Sequence, residues 1–253
     1  MQICTPVGLF GGGSSVNAVD FDGTTNSLSR AALSGVAASA VGIVSVWVNF
    51  SSSATTAANL IMQQTHPSVG DGFYIERTNN VNAWIFYSLG TSSAGFLQIR
   101  STNSYSSPSG WHHILASWNT NALPASRLYS LYIDDADEAN VNQNSGPAFL
   151  NNYPANGNFY VGSNTGGNEL MDGCISELYF APGQYLDFSV EANRRKFITA
   201  EGTPQSLGTN GQDPTGTIPA IYLKGSSTNY GVNSGSGGNF TATGTFSDCA
   251  TAP

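Results

Sequence analysis

Charged residues make up only 9% of this 253-residue chain, against roughly 25% in an average soluble domain. Solubility must therefore come from Ser, Thr, Asn and Gly. Sixteen acidic and eight basic residues leave a net charge of −8. Such a surface repels phosphate backbones, so nucleic acid is not an expected partner. Cysteine is scarce too. Cys4, Cys174 and Cys249 are odd in number and widely spaced, and they form neither a CxxC metal pair nor a disulfide framework. Cys174 falls in a core strand and is expected to be a buried thiol; Cys4 with Cys249 is the alternative pairing. The N-terminal MQICTPVGLFGGGSS lacks the basic and apolar regions of a signal peptide. The longest apolar stretches, such as residues 36–50, contain Gly and Ser and are too short to span a membrane. The expectation is synthesis in a reducing cytoplasm, with no membrane partner.

Hydrophobic residues, 40% of the chain and including 11% aromatic, are sufficient for a large core. Their pattern is that of strands. Residues 18–29 alternate around an Asp-Gly turn, a hairpin signal. GIVSVWVNF (42–50) is rich in β-branched residues. Further strands are predicted at 60–64, 72–77, 83–87, 96–101, 111–118, 128–133, 159–162, 175–180, 221–223 and 240–245. Turn residues separate them at fairly even intervals, which argues for a sandwich and against βαβ units. One helix is expected after Pro182-Gly183, with Ser189 as its cap and Val190, Phe197 and Ile198 turned inward. Arg194, Arg195 and Lys196 would be its solvated face, or else an anion or partner contact. Residues 201–253 are rich in Gly, Ser, Thr and Asn, with sparse anchors such as Tyr222, Leu223 and Tyr230.

Four segments carry a family likeness: VDFDGTTNSLS, GIVSVWVNF, GWHHILASWNTN with LYSLYIDD, and DGCISELYFAPG with its Gly-x-Ile-x-Glu strand. In this order they resemble the laminin-G-like, concanavalin A-like jelly-roll superfamily over residues 18–198. The resemblance implies an all-β fold, an antiparallel β-sandwich jelly roll with one short helix on its C-terminal side and an irregular C-terminal extension. The domain reading is a sandwich over residues 1–200, its first 17 an irregular arm, followed by an extension over 201–253 that packs on the sandwich or on neighbouring subunits. SVEANRRKFI, PAIYLKG and the Gly-rich GGNFTATGTF are similar to structural proteins of tailed bacteriophages, which carry such modules in head decorations, fibres and tail-associated parts.

The fold also hosts glucanases, whose Glu-x-Asp-x-x-Glu strand places nucleophile and acid/base on one face. No glutamate here is followed by Asp two positions later, so glycoside hydrolysis by that route is not expected. Asp134, Asp135 and Asp137 are candidate calcium ligands; the other reading of IDDADEAN is a hairpin turn whose carboxylates cap backbone amides. Asp20 and Asp22 share a strand face without an evident third ligand. His112 and His113 face opposite sides of a strand and cannot jointly chelate one ion. No cofactor is expected beyond that calcium option. Aromatic side chains suit the faces of sugar rings, and Trp84, Tyr87, Trp111 and Tyr153 are the candidate glycan contacts, with Tyr105 and Tyr230 as further options.

The resemblance to tailed-bacteriophage proteins implies, as the expected function, a non-enzymatic bacteriophage virion structural protein: a capsid decoration or a fibre or tail-associated part. It would be made in the host cytoplasm and act through contacts with other virion subunits. It would assemble as a homo-oligomer, a trimer being one option, with cell-surface glycan as an added partner. A free carbohydrate-binding lectin is the alternative.

Overall fold

The computed structural model describes residues 17–51, 58–66, 70–79, 84–91, 95–106, 110–151 and 157–253. Its strands in chain order are β1 (Val19–Asp22), β2 (Ser27–Arg30), β3 (Val41–Phe50), β4 (Asn59–His66), β5 (Gly70–Arg77), β6 (Ile85–Thr91), β7 (Gly95–Arg100) and β8 (His112–Asn119). They continue with β9 (Leu128–Ile133), β10 (Ala136–Asp137), β11 (Asn140–Ser145), β12 (Phe159–Val161), β13 (Asp172–Pro182), β14 (Ile221–Leu223), β15 (Thr241–Thr243) and β16 (Ser247–Asp248). One α-helical turn, α1 (Glu191–Arg194), lies between β13 and β14.

Two antiparallel sheets face each other. The first runs β10-β9-β8-β3-β13-β1-β16, with β14 also paired to β13. The second runs β11-β7-β6-β5-β4-β12-β2-β15. Alternation sends Val44, Val46 and Val48 of β3 into the space between the sheets, where they meet Phe73, Trp118, Phe159 and Phe180. Trp118 stacks on Phe73 at 5.4 Å between ring centroids. Its indole also lies across Gly42, where any β-carbon would collide with it. That contact explains a glycine inside an otherwise β-branched strand.

The near-continuous apolar run of β3 and β13 has a second cause. The outer face of their sheet is covered as well: Ile43, Leu115 and Tyr179 pack beneath Phe188, Phe197 and Leu207 from the chain after β13. Residues buried on both sides lose the polar alternation of a one-sided strand. The C-terminal region contributes to both layers. β14 and β16 join the first sheet, β15 joins the second, and Ile221, Leu223 and Tyr230 enter the main core.

Three expectations are corrected. The expected short helix is present as a single turn, but Ser189 does not cap it. The Ser189 amide and hydroxyl both donate to Asp187 Oδ1, at 2.9 and 2.7 Å, so the hydroxyl is spent on the preceding turn. Val190 is 48% exposed rather than inward, whereas Phe197 and Ile198 are buried. The basic triplet is not a solvated face. Arg194 and Arg195 both reach Asp135, and Lys196 donates to the Pro214 carbonyl at 3.0 Å. Finally, Cys174 is not a free thiol but forms a disulfide with Cys249. The register of β1 between β13 and β16 brings the two together: Asp20 is opposite Cys174 on one side and Ser247 on the other. No helix among the described residues is long and apolar enough to cross a membrane.

Candidate functional site

On the outer face of the first sheet, at its β9–β10 edge, lies a groove of about 470 Å³. Alternation along β9 turns Leu128, Ser130 and Tyr132 toward it, while Leu131 and Ile133 enter the core. β10 sets Asp137 opposite Tyr132. The chain after β13 crosses above and supplies Tyr185, Asp187 and Phe188. The result is an aromatic surface that also carries the carboxylates of Asp137 and Asp187, and Tyr129 lines it too.

The charges around this surface are ordered. Asp134 and Asp135 form the two-residue β9–β10 turn, both with positive φ (52° and 68°), as a primed hairpin turn requires. Asp135 accepts from Arg194 Nε at 2.5 Å and Arg195 Nη2 at 2.6 Å. Partial burial would raise its pKa, but the hydrogen bonds from the two guanidiniums hold it below the usual carboxylate range. Arg194, thus anchored, lies 4.6 Å from the centre of the Tyr132 ring. The Tyr132 hydroxyl is pushed up, first by burial and then by the charge of Asp137; Tyr185 is raised by burial and by Asp187. Asp137 uses Oδ1 to accept the Ala139 amide, and Asp187 uses Oδ1 for Ser189. Among the described residues the second oxygen of each carboxylate has no hydrogen-bond donor. Tyrosine faces beside open carboxylate acceptors suit a ligand with an apolar side and a hydroxylated edge.

The three acidic residues of the turn point three ways. Asp134 accepts the His113 amide at 2.8 Å and sits 2.6 Å from His112 Nδ1, Asp135 is held by the two arginines, and only Asp137 lines the groove. Glu138, in the same run, is buried and fastens the loop before β8 by accepting from the Thr102 and Asn103 amides and the Tyr105 hydroxyl. The one convergence of three metal-type ligands among the described residues is Asp20 with Cys174 and Cys249, and their sulfurs are joined to each other.

The aromatic candidates are scattered. Trp84 lies under the Arg100 guanidinium, 3.9 Å from its ring centre. Tyr87 is fully buried between the sheets and exposes no ring face; its hydroxyl donates to the Ser130 carbonyl at 3.3 Å, just beneath the groove. Trp111 leads into β8 and donates from Nε1 to Thr251. Tyr153 lies outside the described residues. Sequence reasoning missed Tyr129, Tyr132, Tyr185 and Asp187. The outward alternation of LYSLYI was the available signal for Tyr132, but nothing local tied it to Tyr185. A second polar surface crosses the other sheet, where cross-strand register aligns Tyr160, Gln63, Tyr74, Ser88 and Gln98 in one row.

Residues 22–183 match the laminin G-3 model of the Concanavalin A-like lectin/glucanases superfamily. The chain belongs to that superfamily. No curated protein matches it in sequence. Among solved structures, this concanavalin A-like chain is similar to a Bacteroides ovatus protein proposed to bind carbohydrate: TM-score 0.52 and 14% identity, over 94% of this chain and 60% of the other, less than two thirds of its length. It is also similar to a heptameric pentraxin from Limulus polyphemus, with TM-score 0.50 and 13% identity over 68% and 78% of the two chains. Domains LG4-5 of the mouse laminin alpha1 chain give TM-score 0.47 at 15% identity, over 74% and 46%. At such identities the likeness concerns the fold alone.

Proposed function

We propose that this concanavalin A-like chain is a non-enzymatic adhesion and structural module that grips glycan through the tyrosine groove. The observation that carries this reading is the groove itself, in which Tyr132, Tyr185 and Leu128 offer apolar surface beside the carboxylates of Asp137 and Asp187. A glycan array with the full chain tests it. Selective binding is expected, weakened at least about tenfold by Tyr185→Ala and by Asp187→Asn, the scale of one charged hydrogen bond or one lost stacking face. Binding that ignores both substitutions refutes the groove.

Within this proposal the module is a virion part of a tailed bacteriophage, self-associating and contacting neighbouring subunits. Supporting this are the likeness of the C-terminal extension to such proteins and a surface whose few charges reduce the cost of desolvation in close contacts. The disulfide suits a particle that works outside the cell, where such bonds persist. Proteomics of purified particles decides this part, and absence of the chain from them would leave the second reading, a free lectin, which the likeness to the Bacteroides ovatus protein favours. Lack of catalysis belongs to the proposal as well. It rests on the missing Glu-x-Asp-x-x-Glu strand, and release of reducing sugar would overturn it.

A further inference from the structure

β13 is broken in the middle. Its register against β3 shifts between Ser176 and Tyr179, and the extra residue places Glu177 at φ 51°. A left-handed backbone at a residue other than Gly, Asn or Asp costs energy and persists where the surroundings enforce it, often at functional sites. The break falls in a gap along one edge of β13. β1 pairs with residues 172–175 and β14 with residues 178–180, and between them the edge opens into a cleft of about 350 Å³. This lies near the lower end of small-molecule sites, which run roughly 300–1,000 Å³. Among the described residues its lining takes Asn17 and Glu177 from the earlier part of the chain, and the rest, including Ser206, Tyr222, Lys224 and Asn229, from residues 205–234.

The polar groups of this cleft are incompletely used. Glu177 is only 7% exposed; its Oε2 accepts from the Tyr222 hydroxyl at 2.6 Å, while Oε1 has no donor among the described residues. Burial raises its pKa against the opposing pull of Tyr222 and Lys224, as befits a carboxylate lacking a full set of donors. Lys224 Nζ donates to the carbonyls of Gly208 and Thr209, which leaves one of the three ammonium N–H groups over. The cleft thus offers one strong acceptor, one strong donor and a lining of amides and hydroxyls. Its two charges cancel, so a ligand of either sign would leave one of them unmatched.

We propose that this cleft is a second binding site, for a small neutral polyol such as a single sugar ring, with one hydroxyl donating to Glu177 Oε1 and another accepting from Lys224 Nζ. It is separated from the tyrosine groove by β8 and β3 in the sheet order and does not depend on it. The extension then does more than cover the sandwich edge, because it builds the site around a carboxylate that the bulge presents.

Amide shift titration of the ¹⁵N-labelled full chain with D-glucose, D-galactose and N-acetyl-D-glucosamine tests the assignment, with glycine as a zwitterionic control. At least one sugar is expected to shift amides of residues 205–208 and 224–229. Glu177→Gln and Lys224→Met should each weaken that response about tenfold, the scale of one hydrogen bond to a charged group; Tyr185→Ala should leave it unchanged. Lys224→Met keeps the test valid if Glu177→Gln fails to fold. The proposal is overturned if no sugar shifts these amides, if the shifts survive the substitutions, or if glycine produces them in place of the sugars. Loss of response in Tyr185→Ala alone would move the sugar to the groove and also refute it.

Discussion

His113 is buried in β8 with its ring stacked on Trp47 at 4.7 Å and its Nε2 2.8 Å from Ser45 Oγ. Burial lowers its pKa to about 4, although Asp134 and Asp135 pull the other way. The folded chain therefore refuses a proton that the unfolded chain accepts below about 6.5. Stability from this residue is complete above pH 6.5 and is lost as pH falls from there to about 4. Denaturant unfolding at pH 7.5 and pH 4 should show a loss in the wild type that exceeds the loss in His113→Asn by up to about 3 kcal/mol. Glu177 titrates in the opposite sense, since a raised carboxyl pKa favours the fold at lower pH, and this contribution is common to both proteins. Equal losses would mean that His113 is not held neutral. The His112-His113 pair was legible as two residues on opposite faces; which of them faced the covered side was not, because the cover comes from residues far along the chain.

At the scale of elements, Asp135 is the link between the β9–β10 hairpin and α1. A helix of one turn has almost no stability of its own, because nucleation costs more than a single turn returns. Arg194 and Arg195 hold it down through that carboxylate, with Phe197 and Ile198 buried immediately after. Asp135→Asn should speed hydrogen exchange at the Arg195, Phe197 and Ile198 amides, which donate into this turn, while leaving β3 and β8 protected. Uniform protection would show that the aromatic packing alone suffices. The long strands were readable from period-two patterns and β-branched content, as in GIVSVWVNF and LYSLYI. The short helix was legible but its cap was misread, because Ser189 suits an N-cap by type and Asp187 two residues earlier competes for its hydroxyl.

Across the whole molecule, the Cys174–Cys249 bond closes a loop of 75 residues that includes Glu177, α1 and β14 to β16. Chain-entropy arguments put the stabilisation from such a closure at about 4 kcal/mol. Cys249→Ser should lower the urea midpoint accordingly, and the wild type in reductant should fall to the same value. If the variant matches the oxidised wild type, the extension is held by packing alone. Spacing did not reveal this bond, since Cys174 looked like a buried core thiol and Cys249 was matched, if at all, with Cys4. By itself the sequence determined the all-β character and the family likeness, because alternation, turn residues and β-branched runs act locally and repeat along the chain. Only the tertiary structure decided which side chains share a site. Tyr132 meets Tyr185, Glu177 meets Lys224 and Cys174 meets Cys249 through sheet order and strand register, and these are set by burial summed over the whole core rather than by neighbours in sequence.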